Sequence, residues 1–188
     1  MLTAALLVLT ASSPPADSAG RALRYRVDIP APIQAVWSAW TEAARVKEWF
    51  APDADIELRP LGPYEIFFDL EGAPGRRGGE KNLVLAVQAP AMLAFTWNAP
   101  PSLPGVREQR TSVVVRLERL APGRTRVWFE QTGWGRGGEW DESYRYFASA
   151  WKFVLTMLHY RYAVGPVDWS SFPGKDVLAE HERGVTVW

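Results

Sequence analysis

Within the run Gly133-Trp134-Gly135-Arg136-Gly137-Gly138 the spacing of apolar residues changes from two to between three and four. No other feature restricts the fold as much. Upstream, apolar and polar residues alternate in short stretches, the period of strands buried on one side. Downstream, Trp140, Tyr144, Phe147, Trp151, Leu155, Leu158 and Tyr162 recur at helical intervals. They predict a helix of about six turns with one continuous aromatic-aliphatic stripe. A sheet with one apolar face and a helix with one apolar stripe must cover each other.

The strands can be placed from the alternation. Leu23, Tyr25, Val27 and Ile29 share one face of a first strand, Ala22 to Ile29. Pro30, Ala31 and Pro32 break it. Pro32 suits the first turn of a short helix to about Trp40, carried by Ile33, Val36, Trp37 and Trp40. Thr41 is the expected N-cap of a second short helix, Ala43 to Phe50, which Pro52 ends. A meander follows. Ile56 and Leu58 mark a short strand, and Tyr64, Ile66, Phe68 and Leu70 the buried side of the next. Gly72 to Gly79 reads as a flexible basic loop. Lys81 to Gln88 and Met92 to Asn98 are strands, the second turning Leu93, Phe95 and Trp97 to one side. After a proline-rich loop, 99–105, a hairpin runs through Thr111 to Leu120 and Arg124 to Thr132. The expected class is therefore α+β, a curved antiparallel sheet of about six or seven strands wrapped on the long C-terminal helix, with two short helices. Residues 21–163 make that domain. Residues 164–188, with Pro166, Pro173 and Gly174 and a weak helical stretch near Asp176 to Arg183, form a tail packed outside or partly mobile.

Composition excludes several kinds of chemistry. Lys+Arg and Asp+Glu both count 21, so there is no basic excess for nucleic acid. With no cysteine, disulfides, thiolate zinc sites and a cysteine nucleophile are out. His159 and His181 are the only histidines and do not make a metal centre; no cofactor is called for. There is no G-x-S-x-G elbow, and Gly72 to Gly79 lacks the Lys-Ser/Thr ending of a phosphate loop. Residues 1–20 begin with an apolar run, Met1 to Ala11, followed by Ser12-Ser13-Pro14-Pro15-Ala16, in the manner of an export signal but without a leading Lys or Arg. The run is far below the roughly 20 residues a transmembrane helix needs. A signal peptide would send the chain to the periplasm or outside the cell; a disordered leader would leave it in the cytoplasm.

The order and spacing of several segments resemble the START-like (SRPBCC) superfamily, and within it the branch related to the activator of heat-shock protein 90 ATPase. The segments are Pro30 to Ile33 leading into Val36-Trp37-Ser38-Ala39-Trp40-Thr41, then Trp49-Phe50 with Pro52. Gly62-Pro63-Tyr64-Glu65-Ile66 follows, with Pro63 where the family often has a second glycine. Leu93 to Trp97, Gly123 to Val127, Gly133-Trp134-Gly135 and a helix holding Trp151, Val154, Leu155 and Leu158 complete the series, over roughly residues 22 to 165. The resemblance implies a helix-grip fold with a cavity between long helix and sheet. It implies no activity, since such proteins include lipid carriers and cyclases.

A cavity there would be lined by Tyr64, Ile66, Phe68, Phe95, Trp97, Val115, Phe129, Gln131, Tyr144, Phe147, Trp151 and Leu155, which face one another across the sheet and helix. A filled core would use the same residues. Thr111, Thr125 and Gln131 fall in register with the inward apolar positions, and each needs a polar partner, which a ligand, a water or a neighbouring backbone could supply. The leading expectation is a binder of a small hydrophobic molecule. An enzyme of cyclase, hydratase or hydrolase type is the alternative, with Glu142, Tyr144 and Gln131 as its only catalytic candidates. A chaperone-associated role is the third, by family analogy. Glu139, Asp141 and Glu142 together suit the positive end of the helix dipole.

Overall fold

The alternating segments upstream of Gly133 pair into an antiparallel sheet in the computed structural model, which describes residues 20–188. The expected leader, residues 1–20, lies outside them but for Gly20. The chain runs through β1 (Leu23–Ile29), α1 (Ile33–Thr41), α2 (Ala43–Val46), β2 (Asp53–Ile56), β3 (Tyr64–Phe67), β4 (Gly78–Gly79), β5 (Val84–Gln88), β6 (Met92–Trp97), α3 (Pro104–Arg107), β7 (Thr111–Ala121), β8 (Arg124–Thr132), α4 (Gly138–Ala163), α5 (Lys175–Glu182) and β9 (Thr186–Val187). Six strands lie in the order β5-β6-β7-β8-β1-β9, and β2-β3-β4 form a smaller sheet. The two are joined by backbone bonds, Tyr64 N–H to the Asn82 carbonyl at 2.8 Å and Val84 N–H to the Gly62 carbonyl at 2.9 Å.

Strict alternation in β1, β7 and β8 puts every second side chain in the core. Register aligns these into cross-strand rows, one of Phe95, Val113, Gln131 and Leu23 and the next of Leu93, Val115, Phe129 and Tyr25. The 26 residues of α4 lie over the rows, with Phe147, Trp151, Leu155 and Leu158 buried. The Trp151 ring centroid is 4.4 Å from that of Phe129. Burial of such aromatic side chains, at about 2–3 kcal/mol each, is what holds the helix to the sheet.

Several boundaries differ from the sequence reading, each for a local reason. Thr41 ends α1 instead of capping α2, because its hydroxyl donates back to the Trp37 carbonyl at 2.9 Å. The second helix stops at Val46. Beyond it the chain tightens so that Trp49 and Phe50 both turn inward, the Trp49 indole reaching the Ala39 carbonyl at 2.9 Å. The third strand stops at Phe67, since the N–H groups of Phe68 and Asp69 both bond the Arg77 carbonyl and turn the chain. Phe68 is consequently 46% exposed, and Leu70 is exposed too. The proline-rich loop winds into the single turn of α3. The glycine loop is tied down: the Glu80 carboxylate accepts from Gly75 N–H at 2.7 Å and Arg77 N–H at 2.8 Å.

Residues 164–188 pack on the domain. Val167 N–H bonds the Glu48 carbonyl at 2.8 Å, and the Trp169 indole bonds the Lys47 carbonyl at 2.7 Å. Two residues of β9 pair with Tyr25 and Arg26. Between them α5 sits on α4, where the Nδ1 atoms of His159 and His181 are 2.9 Å apart, so one ring donates to the other. Tyr160 meets the His181 ring edge-on, and Lys152 pairs with Glu182 at 2.5 Å across the same contact.

Burial, and then the neighbouring His181, hold His159 below the ordinary histidine value. The unfolded chain therefore takes up this proton first as pH falls. The contribution is present at neutrality and is lost on acidification through about pH 6.5. Urea unfolding midpoints should drop between neutrality and about pH 5, above the range in which the paired carboxylates titrate. The drop should be smaller in His159→Gln; an equal drop in the variant would refute the assignment.

Candidate functional site

Between the middle of α4 and the β3–β4–β6 end of the sheet is a cleft of about 350 Å³. Its floor is two indoles, Trp97 at the end of β6 and Trp151 on α4, with ring centroids 5.1 Å apart. Phe50 stacks on Trp97 at 5.9 Å, and Trp49 stacks on Phe50 at 4.8 Å. One wall is a face of α4 formed by Phe147, Ala150, Val154 and Met157, with Tyr146 and Phe153 at its rim. The facing wall has little side-chain volume: Gly78, Gly79, Asn98, Ala99, Pro100 and Pro101. Phe68 and Trp169 border the opening. Glycine is required at Gly79, where a Cβ would stand 2.9 Å from the Trp97 ring.

A buried relay fixes the floor. The Trp151 indole donates to Gln131 Oε1 at 2.6 Å, Gln131 Nε2 donates to Thr111 Oγ1 at 2.8 Å, and the Thr111 hydroxyl donates to the Trp97 carbonyl at 2.9 Å. The polar side chains on the inner face therefore satisfy one another. Thr125 does the same through the Ala31 carbonyl at 2.9 Å. None of the three waits for a ligand.

The polar corner of the cleft is Arg107 and Asn98. The buried Arg107 guanidinium donates from Nε to the Gly75 carbonyl at 3.1 Å, from Nη1 to the Ala99 carbonyl and from Nη2 to the Gly78 carbonyl at 2.8 Å. Glu80 Oε2 lies 3.5 Å from Nη2. Burial pulls Arg107 below the usual arginine value, with Glu80 opposing. Asn98 Nδ2 donates to the carbonyls of Gly78 at 3.3 Å and Glu80 at 3.1 Å.

Of the residues expected to line a cavity, Phe68, Trp97, Phe147 and Trp151 do so. Tyr64, Ile66, Phe95, Val115, Phe129 and Leu155 are buried in filled core beside or beneath it. Tyr64 stacks on Phe95 at 4.2 Å and donates to the Trp40 carbonyl at 2.9 Å, and burial pushes its phenol up. The catalytic candidates serve separate ends. Gln131 is spent in the relay, the Tyr144 hydroxyl donates to the Ala22 carbonyl at 3.2 Å, and Glu142 faces solvent. No hydrogen bond joins any two of them, and an acid/base pair needs that reach. Glu139 accepts from Val106 N–H at 3.2 Å, and Asp141, held low by Arg21, accepts from Gly137 N–H at 3.1 Å. Among the described residues no group of three or more His, Asp or Glu is placed to hold a metal ion, and no helix is long and apolar enough to cross a membrane.

Trp49, Phe50, Asn98, Arg107, Ala150, Phe153, Val154, Met157 and Trp169 were not expected at the site. A signal for part of this set exists. Tyr146, Ala150, Phe153 and Met157 recur at intervals of four, three and four, a second stripe beside the core stripe of the helix.

A long helix held in a curved antiparallel sheet, with an apolar cleft at their junction, defines a helix-grip α+β domain. Residues 30–160 match the family described as Activator of Hsp90 ATPase homolog 1-like protein, and the chain belongs to that family. Solved structures agree in fold. MLL2253 from Mesorhizobium loti is 23% identical with a TM-score of 0.59, over 74% of this chain and 94% of its own. CalU16 from Micromonospora echinospora is 20% identical with a TM-score of 0.59, over 87% and 85%. PFC0360w, an HSP90 activator from Plasmodium falciparum, is 13% identical with a TM-score of 0.56, over 77% and 96%. No curated protein matches the sequence.

Gln131→Leu keeps the volume roughly constant but leaves the Trp151 indole N–H without an acceptor and takes from the Thr111 oxygen the N–H that donates to it. The expected loss is about 2–4 kcal/mol in urea unfolding. Thr111→Val, which removes the Gln131 and Trp97 links but keeps the Trp151–Gln131 bond, should cost about 1–3 kcal/mol. A Gln131→Leu protein as stable as the wild type would show that the relay does not hold α4.

Proposed function

We propose that this protein binds a small, flat hydrophobic molecule in the cleft between α4 and the glycine-proline wall. The observation that carries this reading is the contrast within one interface. Under Trp151 and Leu155 the helix and sheet fill their common space, whereas a few residues away an aromatic-lined volume of about 350 Å³ stays open. That volume falls in the range of about 300–1,000 Å³ occupied by small-molecule sites. The lining is almost wholly apolar, so the gain on binding is desolvation and stacking on Trp97, Trp151 and Phe50. Carriage fits this lining better than catalysis, because Asn98 and Arg107 are both bonded to backbone carbonyls and the other phenol or amide in the lining is Tyr146 at the rim. A chaperone-associated role has family membership behind it and PFC0360w's own description; the cleft favours ligand binding.

Phenylnaphthylamine, uncharged and fluorescent in apolar surroundings, is a suitable probe. The wild type should bind it with a micromolar dissociation constant, and Ala150→Trp, which fills the cleft from the helix side, should weaken binding about tenfold or more. Far-UV circular dichroism should be unchanged, since Ala150 is half-buried on the cleft side of α4. No fluorescence gain with the wild type, or an equal gain with the variant, would remove the reading.

A further inference from the structure

The cleft is apolar over most of its lining and positively charged at one corner. Arg107, almost fully buried, ends α3 and forms part of the wall. Three backbone carbonyls, of Gly75, Gly78 and Ala99, accept from it. Carbonyl dipoles solvate a cation and fix its direction but do not cancel its charge. A guanidinium has five N–H donors, so two remain beyond those three bonds.

The carboxylate that pairs with Arg107, Glu80, is shared. Glu80 sits 3.5 Å from Arg107 but also accepts from Arg77 Nε at 3.2 Å and from two backbone N–H groups. Arg76 and Arg110 press on Arg107 with like charge, and Glu108 opposes them. Four arginines thus face two glutamates around this corner. Burial does not discharge Arg107, because arginine keeps its proton in proteins. Beside a low-dielectric aromatic wall, uncancelled charge acts over a longer distance than it would in water.

Resting on the hydrophobic-cleft reading, we infer that the preferred ligand is an aromatic monoanion, its ring system on Trp97 and Trp151 and its acidic group at Arg107. A flat body meets the stacked indoles, and a carboxylate or sulfonate takes a charge-assisted bond from a guanidinium already held in place by carbonyls. The ligand thereby supplies the negative charge that Glu80 provides only in part.

Anilinonaphthalene sulfonate and phenylnaphthylamine share one ring skeleton and differ by the sulfonate, so the pair isolates the charge. Wild-type protein should bind the sulfonate about tenfold more tightly, as expected of a charge-assisted contact in a dry cleft. Ala150→Trp should weaken both dyes about tenfold or more. That separates the cleft from the outer face of the sheet, where the Trp128 and Trp188 rings meet edge-on at 5.2 Å with Arg26 over Trp128. In Arg107→Gln the ratio of the two affinities should fall to within about twofold, whatever loss the missing wall contacts impose on both dyes alike. Arg76→Gln, exposed and outside the carbonyl cage, covers the case in which Arg107→Gln does not fold. It should lower the preference by about twofold at low salt and not at high salt. Equal wild-type affinities, or a preference that ignores both salt and Arg76, would overturn the anionic class and leave the hydrophobic cleft standing. If neither dye binds in the cleft, both readings fall.

Discussion

An indole N–H that leaves water without finding an acceptor costs stability, and the buried Trp40 N–H finds none among the described residues. The position of α4 in this protein follows from how Trp151 avoids that cost. Its partner is Gln131 of β8, whose other amide atom is committed to Thr111 of β7, whose hydroxyl in turn reaches the end of β6. The relay crosses three strands and the helix, and each of its side chains is bonded to the next. Sliding α4 by one turn would strand the indole and the amide together. Apolar packing alone tolerates such slippage, because it is non-directional; the relay does not. Its two ends carry the two indoles of the cleft floor, so the site inherits its geometry from the core.

The cleft is open where it is because its far wall has too little side-chain volume to fill it. Across the middle of the sheet, Val115, Phe129 and Tyr25 present branched and aromatic side chains to α4. At the β4 end the wall is Gly78 and Gly79, followed across the gap by Ala99, Pro100 and Pro101. Gly79 cannot be enlarged without meeting the Trp97 ring. The opening is therefore a consequence of the close approach that seats Trp97.

How far the sequence revealed this follows from which signals are one-dimensional. Alternation in 23–29, 111–120 and 124–132 and the stripe from Trp140 to Tyr162 are local, and the strands and helix appear where those periods put them. The partners of Thr111 and Gln131 are not local. Twenty residues separate them, and their bond depends on the β7–β8 register, so the same pattern read along the chain is equally compatible with a ligand as partner. Phe68 kept the alternation of its strand on paper, but the Arg77 carbonyl turns the chain before it. Along the sequence the stripe on α4 forms one band. The residues beside it, Ala150, Phe153 and Met157, line the cleft, while Leu155 on the band itself is packed solid.

The glycine loop shows most clearly what composition conceals. A run of glycines with two arginines reads as mobile, since glycine loses the most freedom on ordering. Here the ordering is done from outside the run. Glu80 accepts two of its N–H groups, and Arg107, from beyond β6, donates to two of its carbonyls. A buried ion pair of this kind adds little net stability, but it selects one arrangement of a chain that has few side chains to select it otherwise. Replacing it with apolar groups of equal volume would leave the loop's N–H and carbonyl groups without these partners. The buried charge that orders this wall also stands at the edge of the cleft, so an occupant of the cleft would bind beside it.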